Sequence, residues 1–133
     1  MIIGLGSDII DIRRVEKAHK KSGDKFFERI FTAKEIKAGV KFKNSKKRYA
    51  YFAKRFAAKE AVAKALGTGV GENINFTEAE ISTLPTGKPV LKLTGSAAKT
   101  LKKLTPQKMK AQIDVSLSDD YPYAMAVVII SSY

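Results

Sequence analysis

Residues 47–66 have the sequence KRYAYFAKRFAAKEAVAKAL, which shows the longest helical periodicity in the chain. Gly67 follows directly, and glycine is the residue most often found just past the end of a helix. At about 100° per residue, the apolar side chains of this stretch fall into one stripe. The stripe is formed by Tyr49, Phe52, Ala53, Phe56 and Ala63. We therefore expect a long helix that buries this stripe and ends at Gly67.

Shorter helices and strands are predicted on both sides of the long helix. The other predicted helices cover residues 11–21, 24–31, a segment that starts at the capping-box pair Thr32 and Glu35, and 95–104. The predicted strands cover residues 2–10, 79–84, 89–94, 111–118 and 123–131. Because this order lacks regular βαβ repetition, the pattern indicates an α+β fold. We expect a single domain over residues 1–133, with a largely antiparallel sheet packed with one long and several short helices.

Composition excludes several classes of protein. The chain has 133 residues, no cysteine and a single histidine, His19. Disulfide frameworks, thiol nucleophiles, zinc sites and a Ser-His-Asp triad are therefore not expected, and any bound metal should be a hard cation held by oxygen. No apolar stretch approaches the roughly 20 residues that a membrane-spanning helix needs. We expect a cytoplasmic protein without a membrane partner.

The positive charge of the chain is concentrated in its first half. The net charge is +12, and residues 1–67 contain 18 Lys and Arg residues against 7 acidic ones. A basic surface of this kind favours an anionic partner. Nucleic acid, an acidic protein and a phosphate-rich small molecule all remain possible on charge alone.

Two carboxylates lie at positions where a charge is unusual. Glu60 falls in the middle of the apolar stripe, and Asp8 is the only charge in an otherwise apolar predicted strand. Strand alternation puts Asp8 on one face with Gly4 and Gly6, which we expect to leave open space beside it. Structural alternatives remain: Glu60 could pair with Lys64, four residues on, which contributes roughly 0.2–0.5 kcal/mol. Asp8 could simply cap the end of its strand.

A shared site for the two carboxylates would suit magnesium. Asp and Glu oxygens without His or Cys are typical of a Mg²⁺ site, in which water and substrate phosphates complete the coordination. Arg55, Lys59 and Lys64 on the same helix could then hold those phosphates by charge and hydrogen bonding. Spacing alone does not show that Asp8 and Glu60 are neighbours.

Four motifs occur in an order and spacing that resemble a known family. They are GSDIIDI at residues 6–12, FAAKEAVAKALGTG at 56–69, PTGKP at 85–89 and VSLS at 115–118. Together they cover most of the chain and resemble the holo-acyl-carrier-protein synthase family, the small trimeric branch of the 4′-phosphopantetheinyl transferases. The resemblance implies transfer of 4′-phosphopantetheine from coenzyme A to a serine of apo-acyl carrier protein, as a step of fatty acid biosynthesis.

The resemblance also implies roles for individual residues. Asp8 and Glu60 would bind Mg²⁺, and Glu60 and Lys64 would be catalytic. The residues expected to bind coenzyme A are Arg55, Lys59, Lys64, Gly67, Thr86, Gly87, Lys88 and Pro89. Arg13 and Arg14 would dock the acidic carrier protein. Active sites are expected between neighbouring subunits of a homotrimer, with Val127 and Ile129 as candidates for the interface core.

A basic nucleic-acid-binding module is the competing hypothesis. Its support is a set of aromatic side chains interleaved with basic ones, a mixture that can stack bases and hold phosphates. The aromatic residues are Tyr49, Tyr51, Phe52 and Phe56, and the basic ones are Lys47, Arg48, Lys54 and Arg55. These aromatic residues mostly share the stripe that a core helix would bury, which makes nucleic acid the less favoured partner.

Overall fold

The structure is a computed structural model that describes residues 1–71 and 74–133. Its helices are α1 (Ile12–Ser22), α2 (Asp24–Ile30), α3 (Ala33–Gly39), α4 (Ser45–Ala65) and α5 (Gly95–Leu104). Its strands are β1 (Ile2–Asp11), β2 (Ala79–Thr83), β3 (Pro89–Leu93), β4 (Ala111–Asp120) and β5 (Tyr123–Ser132). A short 3₁₀ turn, Phe76–Glu78, precedes β2. In the part of the chain that is described, no helix combines the length and apolarity needed to cross a bilayer.

All of the strand pairings are antiparallel, which confirms the predicted α+β class. One sheet has the order β1-β5-β4, and the second is the hairpin of β2 and β3. The central strand β5 alternates between buried and partly exposed residues, with Ala124, Ala126, Val128 and Ile130 facing the core. Its register with β1 sets Asp8 opposite Ala126. The sheet therefore has one face against the helices and one face directed away from them.

Helix α4 is buried around almost its whole circumference, so the prediction of a single apolar stripe was wrong. Phe52, Ala53 and Ala63 are fully buried as expected. Ala57, Ala58 and Val62, on other sides of the helix, are equally inaccessible. The reason is that α4 packs against β1 and β5 on one side, α1 and α3 on others, and β2 on another. It is the central element of the fold rather than a cover over one face.

Strand β1 packs against α4 through main-chain atoms. A Cβ added at Gly4 would collide with the carbonyl oxygen of Ala65, and one added at Gly6 would collide with that of Ala61. The expectation that these glycines leave open space beside Asp8 was therefore wrong, because the helix backbone fills that space. Glycine is required here because only its missing side chain allows strand and helix to approach this closely.

The end of α4 follows the predicted geometry. Leu66 is the C-cap, and Gly67 adopts a left-handed φ of 77°. The amide nitrogen of Gly67 donates to the carbonyl oxygen of Lys64 at 3.0 Å, and that of Thr68 donates to Ala63 at 3.2 Å. These bonds satisfy carbonyl groups that the last helical turn leaves without partners. Gly67 thus has a structural reason for its position that is independent of any ligand.

Candidate active site

The two unusual carboxylates lie together in one cleft. Asp8 on β1 and Glu60 on α4 both line a cavity of about 360 Å³, which we call the carboxylate cleft. Arg14 of α1 lines the same cavity, and Phe26 and Phe56 form apolar parts of its wall. A main-chain contact between β1 and α4 brings these residues together, since Gly6, two residues before Asp8, lies against Ala61, the residue that follows Glu60.

Lys64 pairs with Asp8 rather than with Glu60. Its ammonium group donates to Asp8 Oδ1 at 3.0 Å and to the carbonyl oxygen of Ser7 at 2.9 Å. Among the described residues, no ion pair within 4.0 Å joins Glu60 to Lys64. The structural alternative of an ion pair along the helix is therefore not realised. Lys64 is held beside the carboxylate cleft through Asp8, with about half of its side chain exposed, and it is not part of the cleft lining.

Glu60 is in an environment that disfavours its ionised form. Burial raises the pKa of the Glu60 carboxyl, the nearby charge of Asp8 raises this pKa further, and Lys64 opposes the shift. A carboxylate pair in a partly buried cleft is stabilised when a cation lies between the two groups. A bound cation would therefore stabilise the ionised form of Glu60, because Lys64 offsets only part of the effect of burial and of the Asp8 charge.

Magnesium fits this donor set. The cleft offers carboxylate oxygens only, and hard divalent cations prefer oxygen ligands. Within the described residues there is no group of three or more His, Cys, Asp or Glu side chains arranged to enclose a metal. Two carboxylates with an open side suit Mg²⁺, which usually keeps several waters and takes its remaining ligands from substrate phosphates.

A second and larger cavity lies on another side of α4. It has a volume of about 870 Å³, and the side chains of Lys46, Lys47, Lys54 and Arg55 contribute to its lining. Thr83, Gly87, Pro89 and Ser116 line it as well. We call this cavity the basic cleft. Its cationic lining suits an anionic ligand such as a phosphate ester.

Arg55 is almost completely buried at the wall of the basic cleft. Its guanidinium lies 3.6 Å from the centre of the Tyr51 ring, and Nη2 donates to Thr83 Oγ1 at 3.1 Å. The Nε atom is buried without a hydrogen-bond partner. Because Arg55 forms part of the cleft wall, its positive charge lies where it would attract an anion bound in the cleft.

Lys59 lies in neither cleft. Its side chain is completely inaccessible, and its ammonium forms an ion pair with Glu35 Oε1 at 2.8 Å. The same nitrogen donates to the carbonyl oxygens of Phe76 and Ala79. These three bonds use all three donors of the ammonium group, so none remains for a phosphate. The structure does not place Lys59 among residues that could touch a substrate.

The predicted turn contributes to the basic cleft through some of its residues. Gly87 and Pro89 line that cleft, whereas Thr86 and Lys88 do not. Thr86 and Lys88 are exposed at the tip of the hairpin. Gly67 lines neither the carboxylate cleft nor the basic cleft. The residues expected to bind substrate are thus divided among the two clefts, an exposed turn and a helix end.

The two candidate docking arginines have different environments. Arg13 forms a fork-like ion pair with Asp11, with Nη2 and Oδ2 separated by 2.6 Å. The neighbouring Arg14 instead lines the carboxylate cleft. The pKa of Asp11 is lowered because its side chain accepts hydrogen bonds from Arg13. Arg13 therefore has a local partner, while Arg14 lies beside the carboxylates.

The sequence did not identify several residues of the basic cleft. Thr83 and the ion pair of Lys54 with Asp119, 2.9 Å long, were not singled out. Thr83 could have been found, since it ends the strand that leads into the Pro85–Lys88 turn. Asp119 and Lys54 are 65 residues apart in sequence, and no periodic pattern reveals a contact between a helix and a distant strand end.

Comparison with known proteins identifies the family. The family model of the 4′-phosphopantetheinyl transferase superfamily matches residues 4–126. The chain belongs to this superfamily. A relative named holo-[acyl-carrier-protein] synthase from Bradyrhizobium sp. (strain BTAi1) is 52% identical over 133 residues, covering 99% of this chain and 96% of the relative. The resemblance found in the sequence motifs is thereby confirmed.

Solved structures of the superfamily agree with the fold of this member. The holo-[acyl-carrier-protein] synthase of Neisseria meningitidis matches with a TM-score of 0.84 and 34% identity, over 98% of this chain and 99% of that one. The Helicobacter pylori holo-[acyl-carrier-protein] synthase, crystallised in complex with coenzyme A, matches with a TM-score of 0.78 and 32% identity. That match covers 96% of this chain and 99% of the other.

Proposed function

We propose that the protein is a holo-acyl-carrier-protein synthase. It transfers 4′-phosphopantetheine from coenzyme A to a serine of apo-acyl carrier protein and releases adenosine 3′,5′-bisphosphate. The observation that carries this proposal is the meeting of Asp8 and Glu60 in one cleft, with Lys64 held beside them. Relatives about half identical over nearly the whole chain carry the same name.

The reaction is a displacement at phosphorus in which charge must be neutralised. The serine hydroxyl gives its proton to a base or to water, the serine oxygen bonds to the phosphorus that carries pantetheine, and the bond from that phosphorus to the bridging diphosphate oxygen breaks. Adenosine 3′,5′-bisphosphate leaves with the electron pair of that bond. Positioning and electrostatic stabilisation dominate catalysis of such reactions. Mg²⁺ bound by Asp8 and Glu60 would neutralise part of the diphosphate charge.

Lys64 and Arg14 supply the cationic groups of the carboxylate cleft. Lys64 is oriented by its bonds to Asp8 and the carbonyl oxygen of Ser7, so its ammonium can meet a phosphate oxygen without first losing its position. Arg14 lines the same cleft, and a guanidinium can bind carboxylate or phosphate oxygens in a fork-like geometry. We assign Lys64 to phosphate binding and Arg14 to the entry side of the cleft, where the acidic carrier protein docks with the help of Arg13.

The basic cleft is proposed to hold the nucleotide end of coenzyme A. The Arg55 side chain forms part of its wall, and Lys46, Lys47 and Lys54 add positive charge. Gly87 and Pro89 form part of the same lining and offer a surface for the adenosine group. Among residues 1–71 and 74–133 of one chain, none lines both this cleft and the carboxylate cleft. A complete site would therefore combine the carboxylate cleft of one subunit with the basic cleft of a neighbour.

A homotrimer is proposed on the basis of the uncovered sheet face. On the side directed away from α4, register sets Leu5 opposite Ile129 and Ile9 opposite Met125. Leu5 and Ile9 are 66% and 65% exposed, which is unusual for two aliphatic side chains on one strand. Val127 lies between them on β5. An exposed apolar face of this kind indicates a protein–protein interface. A closed ring of subunits would cover this face on every subunit.

The nucleic-acid alternative is not supported. Tyr49, Tyr51 and Phe52 are all less than 10% exposed, and Phe52 is inside an aromatic cluster with Phe27 and Phe31. Side chains buried in the core cannot stack on bases.

The lack of cysteine fits a reducing compartment, and we include a cytoplasmic location in the proposal.

The decisive experiment measures the mass of the carrier protein. Purified protein is incubated with apo-acyl carrier protein, coenzyme A and Mg²⁺, and the carrier is weighed by mass spectrometry. The expected result is a gain of one phosphopantetheine group, with none when coenzyme A is omitted or when the acceptor serine of the carrier is replaced by alanine. An unmodified carrier at enzyme concentrations that keep the trimer intact would refute the proposal.

A further inference from the structure

Lys59 and Glu35 form an ion pair that is completely buried. Both side chains have no exposed surface, and Lys59 Nζ lies 2.8 Å from Glu35 Oε1. Removing two charges from water is costly unless nearly every donor and acceptor finds a partner. Burial lowers the pKa of Lys59, while the charge of Glu35 opposes that shift. The pair needs an explanation because neither residue lines the carboxylate cleft or the basic cleft.

The hydrogen bonds of this pair join three elements of the chain. Glu35 Oε1 also accepts from the amide of Thr32 at 2.9 Å, at the start of α3. Glu35 Oε2 accepts from the amide of Ile81 at 2.9 Å, in the middle of β2. Lys59 on α4 donates to the carbonyl oxygens of Phe76 and Ala79, which enclose the 3₁₀ turn before β2. Every donor of the ammonium is used.

These bonds hold the β2–β3 hairpin, which Thr32 also contacts by donating from Oγ1 to Glu80 Oε2 at 2.6 Å. The hairpin forms a separate two-stranded sheet. Such a sheet is marginally stable unless other elements hold it. The Ile81 amide, which points away from β3, is held by Glu35, and the start of β2 is held by Lys59. The hairpin is thereby fixed against α4 at the residue that directly precedes Glu60.

The hairpin in turn carries part of the basic cleft. Thr83 at the end of β2 accepts a hydrogen bond from Arg55, and Gly87 and Pro89 line the cleft. A rotation of the hairpin about its base would move all three residues relative to Arg55. A shift of this kind affects ligand binding in the basic cleft more than the chemistry at Asp8 and Glu60, which are held by the contact between β1 and α4.

We infer that Lys59 and Glu35 are positioning residues for coenzyme A, because their ion pair sets the β2–β3 hairpin at the orientation in which the basic cleft binds the nucleotide. This inference rests on the proposed function. It assigns no contact with substrate to either residue. It also explains why a lysine beside Glu60 is buried without reaching the carboxylate cleft.

A purely stabilising role makes a different prediction. Replacing both members of a buried ion pair by apolar residues of similar size is often neutral or stabilising, whereas removing one member leaves an unpaired buried charge. The test is therefore the double variant Glu35→Leu with Lys59→Met. Its matched control is Glu16→Leu with Lys20→Met, which removes the same pair of residue types from the surface of α1.

The experiment measures coenzyme A affinity by calorimetry, and KM and kcat for both substrates. For the double variant we expect a cooperative thermal transition and a weakening of coenzyme A binding of roughly tenfold or more. The KM for the carrier protein and kcat at saturating coenzyme A should stay within about threefold of wild type, since a threefold change is only about 0.65 kcal/mol. The control pair should leave coenzyme A affinity unchanged.

Two results would overturn the inference. One is a folded double variant with wild-type affinity for coenzyme A, and the other is a loss of kcat with unchanged affinity. If the double variant does not fold, Glu35→Gln serves instead, because it keeps the side-chain volume and one of the bonds to Lys59 and Ile81. The KM for coenzyme A is then decisive, since it does not depend on the fraction of active protein. Wild-type protein that fails to transfer would refute the proposed function itself.

Discussion

Lys64 forms its ion pair with Asp8 on the neighbouring strand, at 3.0 Å, and not with Glu60 on its own helix. As a consequence, the two carboxylates of the cleft have different electrostatic environments. Asp8 has a cationic neighbour, while Glu60 is left with burial and a like charge that raise its pKa. The behaviour of Glu60 in the metal-free protein should therefore differ from that of an ordinary surface glutamate.

Glu60→Gln should stabilise the metal-free protein at neutral pH. Because the pKa of Glu60 is higher in the folded chain than in the unfolded chain, its ionisation works against folding. This cost is absent well below the unfolded pKa of about 4.3 and grows as pH rises through the folded pKa. Thermal unfolding in the presence of a chelator should show a larger gain for the variant at pH 7 than at pH 4. The exposed control Glu28→Gln should show no such dependence, and equal gains at both pH values would contradict the prediction.

Asp8→Asn should abolish most of the transfer activity while the protein stays folded. The change removes the charged oxygen that we propose as a Mg²⁺ ligand, together with the partner of Lys64, and electrostatic stabilisation by a metal contributes several kcal/mol to such transition states. We expect a loss of more than about a hundredfold in kcat/KM, with a higher Mg²⁺ concentration needed for half-maximal rate. Asp24→Asn, at an exposed position on α2, is the control. Activity within a few-fold of wild type at low Mg²⁺ would remove Asp8 from the metal site.

Gly6→Ala should be strongly destabilising. The added methyl group would overlap the carbonyl oxygen of Ala61, so β1 or α4 must move. Overpacking of this kind typically costs about 1–3 kcal/mol, and more where a backbone is the obstacle. Urea denaturation should show the loss, and Ser22→Ala, at an exposed position at the end of α1, should change stability by less than about 0.5 kcal/mol. A Gly6→Ala protein as stable as wild type would mean that strand and helix do not touch as described.

Charge reversal at Arg13 and Arg14 should weaken carrier docking in a salt-dependent manner. Like-charge repulsion lowers the rate of encounter with an acidic partner, and salt screens exposed charges beyond roughly 10 Å at 0.1 M. Steady-state transfer should show a higher KM for the carrier in Arg13→Glu with Arg14→Glu, and the difference should shrink as salt rises. Arg14→Glu alone should account for most of it, because Arg13 is already paired with Asp11. A normal KM at low salt would argue against docking at this helix.

Acidic substitutions on the uncovered sheet face should dissociate the trimer. Val127→Glu with Ile129→Glu places two charges on the face that also carries Leu5 and Ile9. Sedimentation should give a trimer for wild type and a monomer for the variant, and transfer activity should fall with the change in mass. The control Lys99→Glu with Lys103→Glu alters charge by a larger amount on α5 and should stay trimeric. A fully active wild-type monomer would contradict the proposal of shared sites.

The sequence was most informative about helices with strong periodicity. It was least informative about which neighbouring element each side of a helix faces. The apolar neighbours of Glu60 along the helix correctly indicated an unusual carboxylate, although they do not form a single stripe. The capping-box spacing of Thr32 and Glu35 matches the start of α3. The roles of Lys59 and Lys64 could not be separated in advance. They are five residues apart and hence about 140° apart around the helix. Since α4 is buried on nearly all sides, periodicity does not show which of the two faces a cleft.

Long-range pairings account for the other features that the sequence did not reveal. Glu35 and Lys59 are 24 residues apart, and each could equally have been a solvated charge on its own helix. The glycines of β1 were recognised as small, but whether the resulting space holds a ligand or a helix depends on how the elements pack. Such packing depends on contacts between distant segments of the chain, so local sequence patterns do not predict it.

The close approach of β1 to α4 at Gly4 and Gly6 has a consequence for engineering the enzyme. Because main-chain atoms alone set the spacing of strand and helix, the separation of Asp8 and Glu60 does not depend on the identity of the surrounding side chains. We expect a smaller side chain at Phe26 on the cleft wall to widen the cleft while the two carboxylates keep their relative position. The width of the cleft can therefore be changed without changing the spacing of its two carboxylates.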